Sequence, residues 1–110
     1  MTPPTYTDAT RYEVSCLPLG HPDRSAFTIT VEWRSPDRWA VCLRSECLSR
    51  TGKWHYERQP SSRTDRFKEY HRHPLDLALA LAQTHAPKIT CNGFTVEEAL
   101  ARRAVPDPAP

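Results

Sequence analysis

Glycine is scarce in this chain of 110 residues, which holds only Gly20, Gly52 and Gly93. A phosphate cradle needs several closely spaced glycines so that backbone amides can approach the ligand, and Thr51-Gly52-Lys53 lacks both the upstream glycine and the following Ser or Thr of a Walker-type loop. A Gly-x-Ser-x-Gly nucleophile elbow is missing as well. Long apolar runs are also absent. The longest begins at Leu77 and falls far short of the ~20 residues needed to cross a bilayer. The amino terminus has no basic start followed by an apolar core, so a cytoplasmic location and no membrane partner are expected. Nor does one sign of charge dominate. Fifteen Lys and Arg against thirteen Asp and Glu give +2, well below the basic excess of a dedicated nucleic-acid protein.

Proline, by contrast, is plentiful, with eleven residues. Pro3, Pro4, Pro106, Pro108 and Pro110 mark poorly ordered tails over 1–10 and 104–110, leaving a single domain over 11–103. The interior prolines fall between periodic segments, where a missing amide donor does least harm.

Tyr12, Val14 and Cys16 alternate with Glu13 and Ser15, as in a half-buried strand. Phe27, Ile29, Val31 and Trp33 alternate strictly with polar neighbours. The turn Ser35-Pro36-Asp37 then leads into Trp39, Val41 and Leu43, an antiparallel hairpin. Cys47-Leu48 runs through a turn at Gly52 into Trp54 and Tyr56, a second hairpin. Leu and Ala from Pro74 to Ala86 favour a helix, with Leu75, Ala78, Leu79 and Ala82 on one stripe and Leu77 and Leu81 widening it. A short amphipathic helix over Thr64–Arg72 precedes it. Thr95-Val-Glu-Glu98 forms a capping box for a last helix, after a short strand ending at the turn Asn92-Gly93. The pattern predicts an α+β fold, an antiparallel four-stranded meander sheet with C-terminal helices packed on one face.

The motifs Cys47-Leu48, Gly52-Lys53-Trp54-His55-Tyr56-Glu57, Pro60-Ser61-Ser62-Arg63-Thr64-Asp65, Leu75-Asp76-Leu77-Ala78-Leu79-Ala80-Leu81-Ala82 and Asn92-Gly93 resemble those of small proteins of high-GC actinobacteria and their phages. The resemblance spans about residues 12 to 100 and rests mostly on turn and core residues. It implies a source and a fold, and it assigns no activity, cofactor or catalytic residue.

Charge is concentrated in one place. Residues 49–73 hold seven Lys and Arg, three Asp and Glu and three of the five His, a local excess of +4. Once Trp54 and Tyr56 are given to a core face, the candidate binding residues are Arg50, Lys53, His55, Arg58, Arg63 and Arg66. The four Cys are expected as reduced thiols in a reducing compartment. Cys42, Cys47, His71 and His73 offer two thiolates and two imidazoles to a metal only if the fold converges them, and no metal or other cofactor is expected. No catalytic constellation is present in the sequence, and a small-molecule ligand is not expected. The sequence therefore reads as a non-enzymatic cytoplasmic binding or regulatory protein engaging a protein partner, with nucleic-acid binding through Arg50–Arg72 as the alternative.

Overall fold

The computed structural model describes residues 1–57 and 63–104; Arg58 and almost all of the expected tail 104–110 lie outside the described residues. Five strands, β1 (Arg11–Ser15), β2 (Thr28–Ser35), β3 (Arg38–Leu43), β4 (Glu46–Leu48) and β5 (Trp54–Tyr56), form one antiparallel sheet in sequence order. Three helices follow, α1 (Asp65–His71), α2 (Leu75–His85) and α3 (Val96–Ala104), with the small hairpin β6 (Thr90–Cys91) and β7 (Phe94–Thr95) between the last two. The α+β class and the meander agree with the sequence pattern. The expected count of four strands does not, because Glu46–Leu48 pairs on both sides and is a strand in its own right. The second hairpin expected through Gly52 already has Cys47-Leu48 as its first arm, but the count of four leaves so short a segment out of the strands of the sheet. Among the described residues, no helix is long and apolar enough to cross a membrane.

Opposed residues in an antiparallel sheet share a face, so the register divides the sheet into two surfaces. Ile29, Val31, Val41 and Leu48 lie on one surface, each fully enclosed. They meet Ala78, Ala82 and Ala86 from α2 and its continuation, all buried. The sheet thus supplies the bulk and the helix supplies small residues that let it approach closely. The helix stripe is accordingly centred on alanine. Leu75, Leu79 and Leu81 are only partly buried at its flanks, and Leu77 is 44% exposed. Tyr56, expected on this core face, is 64% exposed on the edge strand.

The first two helices are each one residue shorter at both ends than the expected Thr64 to Arg72 and Pro74 to Ala86, whose end residues serve as caps. Thr64 caps α1 by accepting from the Phe67 amide at 3.1 Å. Thr95 and Glu98 exchange hydrogen bonds as a capping box, with the Glu98 amide donating to Thr95 Oγ1 and the Thr95 amide to Glu98 Oε1, each at 3.2 Å. Not all helices share one face, however. His71 of α1 meets His55, whose side chain lies with Cys47 on the surface opposite Leu48, so α1 covers the β5 end of the second surface.

Candidate functional site

The second surface carries a cluster of charges around Glu57. The Arg34 guanidinium donates to Glu57 Oε1 at 2.7 Å, and Arg63 donates to the same oxygen at 2.8 Å. Arg72 lies 3.6 Å from Oε2. Three arginines therefore share one carboxylate that is 11% exposed.

Each member is positioned by the local backbone. Trp33 pairs with Trp39 and Ser35 with Arg38, so Arg34 is an extra residue, a β-bulge beside the turn in which Asp37 adopts φ +56°. Arg34 shares the parity of Thr30 and Glu32, so alternation places it on the second surface, with the bulge falling at this residue. Glu57 follows β5 directly, and its amide donates to the Ser45 carbonyl at 3.0 Å. Because β4 is short, the first half of β3 would lack a neighbour; His73 fills that place, exchanging two backbone hydrogen bonds with Trp39 at 2.8 and 2.9 Å. Extended backbone there (φ −124°, ψ 137° at Arg72) turns Arg72 to the side opposite His73.

Burial acts on these charges unequally. It pushes the Arg72 guanidinium down, Glu57 opposes the shift, and the neighbouring Arg34 and Arg63 add to it. Burial also acts most strongly on Arg34, but its hydrogen bond to Glu57 together with the charges of Glu57, Cys42 and Glu32 outweigh it, and its value is raised. The contrast follows the geometry, since Arg72 is the more enclosed and has the longer contact. Arg34 Nε is buried without a hydrogen-bond partner. Burial likewise raises Glu32, but hydrogen bonding from Thr30 and the Arg34 charge reverse this and lower it.

Beside the cluster opens a groove of about 580 Å³, walled by Arg34, Arg38, Arg63, Lys68 and Arg72 with Asp65 and Glu69 on its α1 rim. Of the six residues expected to bind, five are described, and among these Arg63 alone lines it. Arg50 stacks over Tyr70 at 4.5 Å, and Lys53 and Arg66 are exposed outside the groove. Arg34 and Arg38 are the residues that sequence reasoning missed. They lie outside the basic segment, and the signal in the sequence was the polar side of β2 running into a Pro-Asp turn.

His55 belongs to a different arrangement. His71 Nδ1 is 2.8 Å from the Phe67 carbonyl, which can only accept, so His71 donates there and its Nε2 accepts from His55 Nδ1 at 2.9 Å. His73 donates through Nε2 to the Leu48 carbonyl at 3.0 Å on the helix-covered side. The four possible zinc ligands are therefore divided. Cys42 and Cys47 are opposed on the second surface, while both imidazoles are bound to backbone carbonyls. Among the described residues, no group of three or more His, Cys, Asp or Glu gathers as a metal site. Cys47 also lies opposite His55, but burial, then the Glu57 charge, push its thiol up to about 11. A thiol held protonated in this way is not an activated nucleophile.

The histidines make stability sensitive to pH. Burial first of all lowers His71, His73 and His85 from the ordinary 6.5. The unfolded chain therefore takes up protons before the folded one, and stability that is full above 6.5 declines as pH falls towards the folded values. Urea midpoints should be level between about pH 8 and 7 and drop clearly by about pH 5.5; an unchanged midpoint there would show that these imidazoles titrate freely in the fold.

No family model, no curated protein and no solved structure matches this chain.

Proposed function

We propose that this is a small non-enzymatic binding protein that engages a protein partner by taking an acidic segment into the groove between β2, β3 and α1. The observation that carries the reading is the set of cations, Arg34, Arg38, Arg63, Lys68 and Arg72, gathered from β2, β3 and the segment that contains α1 around one concave surface. Guanidinium groups bind carboxylates in a planar, two-pronged geometry, which suits an acidic segment entering a groove walled by four arginines.

The charges of the site favour a discrete anionic group over a continuous polyanion. Five cations line the groove, but Asp65 and Glu69 share its rim, and Glu57 and Glu32 hold Arg34 from below. Among the described residues, with all four carboxylates counted, the site keeps an excess of a single positive charge. A nucleic-acid backbone laid along α1 would meet the rim carboxylates, whereas acidic side chains of a peptide interspersed with neutral or basic ones would not.

The test is fluorescence anisotropy with a labelled Glu- and Asp-rich peptide at low salt, against a single-stranded oligonucleotide of equal charge. The peptide should bind, weaken as salt rises, and lose about tenfold in affinity when Arg38→Glu and Lys68→Glu are combined, both being exposed groove residues. An oligonucleotide that binds through the same two residues while the peptide does not would replace this reading with nucleic-acid recognition. Binding of neither would remove the groove as the site.

A further inference from the structure

Cys42 on β3 and Cys47 on β4 are directly opposed, one step in from the two-residue turn Arg44-Ser45 that is closed by Leu43 and Glu46. Opposed residues of an antiparallel pair have Cα atoms roughly 4.5 or 5.5 Å apart, and both spacings fall within the roughly 4.4–6.8 Å that a disulfide spans. Their side chains project from the same surface, and both thiols are free. They differ in access. Cys42 is 8% exposed and lines two clefts of about 550 and 280 Å³ on the second surface, whereas Cys47 is fully enclosed.

We infer that Cys42 and Cys47 are a thiol–disulfide redox pair that reacts with small-molecule disulfides of the glutathione class, Cys42 as the entry thiol and Cys47 as the resolving one. The chemistry balances in two exchanges. The Cys42 thiolate attacks one sulfur of the small disulfide, forming a mixed disulfide and releasing the first small thiol. The Cys47 thiolate then attacks the Cys42 sulfur, closing the protein disulfide and releasing the second. The two protons that leave the cysteines end on the two released thiols, and the small disulfide is the species reduced.

The other two cysteines have no such partner. Cys91 faces Phe94 across β6 and β7, and Cys16 is exposed just past the end of β1. They can carry an adduct, but the register opposes no thiol to either. Burial, followed by the Glu57 charge, pushes Cys42 up to about 12 and Cys47 up to about 11. Closure is therefore slow at neutral pH and accelerates with alkalinity, and the bond once formed reopens slowly, because thiols of high pKa are poor leaving groups. The pair lies directly under Arg34, whose Nη2 is 3.7 Å from Cys42 Sγ, so the bond would form in the floor of the charged cluster.

The experiment uses the full chain with Cys16→Ser and Cys91→Ser, reduced and then incubated with excess oxidised glutathione. The expected product has lost two hydrogens, resists alkylation at both cysteines, and yields a proteolytic fragment linking them. Its rate should rise about tenfold per pH unit between about 7 and 9, as the thiolate fraction does. Adding Cys47→Ser should stop the reaction at one glutathione on Cys42. A hydroxyl buried at position 47 can itself unfold that variant, so the unsubstituted pair decides: cysteines that stay open to alkylation, or that each carry their own glutathione, overturn the inference.

Discussion

Replacing Glu57 by Gln is expected to lower the unfolding free energy by about 3 kcal/mol and, in the same protein, to raise the affinity of the groove for an acidic peptide. The stability term comes from leaving three guanidinium groups without the one carboxylate they share. Arg72 is the critical member, since its side chain is 5% exposed and two other cations already depress its charge. Removing one partner of an enclosed ion pair strands the other, which costs more than the intact pair contributes. The affinity term has the opposite sign because Glu57 occupies, from inside, the donors that a partner's carboxylate would use. Urea unfolding and peptide titration of one preparation read both. Glu69→Gln on the exposed face of α1 is the control and should move stability by no more than about 0.5 kcal/mol. A Glu57→Gln loss under about 1 kcal/mol would show that the arginines are held by solvent and their backbone settings instead. Lower stability with unchanged affinity would leave Glu57 structural and detach it from binding.

The parts of the fold that sequence reasoning reached are those where one local signal decides. Alternation set the faces of β2 and β3, and Thr95 marked the start of α3 by a side chain able to cap it. The candidate site was reached in part, through Arg63, because its assembly depends on features without a local signature. A strand of three residues leaves a gap beside β3, and the segment after α1 fills that gap and so aims Arg72. The basic run from Arg50 to Arg72 is compatible in the sequence with one patch or with scattered cations. In the fold its cations go to different places, Arg50 onto Tyr70 and Arg63 and Arg72 onto Glu57. Arg38 reaches the groove from the other hairpin. Charge density along a chain therefore located the neighbourhood of the site, while the pairing register selected its members.

The same distinction governs the core, where Phe27→Ala should cost about 3–5 kcal/mol and Trp33→Ala about 1 kcal/mol or less. Both residues belong to one alternating run, and on that evidence the larger ring should matter more. The structure reverses the order. Phe27 is 2% exposed, at the end of a short 3-10 turn that leads into β2, and is enclosed by the cluster that includes Ile29, Ala78 and Ile89. Truncating it leaves a cavity in a region already fitted closely to alanines, with little freedom to collapse. Trp33 is 46% exposed, one residue before the bulge at the far end of the hairpin, and its opposed neighbour Trp39 is instead covered by Tyr12 at a ring separation of 5.7 Å. Alternation tells which way a side chain points, and the length of the covering helix tells whether anything meets it. Urea midpoints at constant denaturant dependence check the pair. Equal losses for the two substitutions would mean that the hairpin end is packed as tightly as its base.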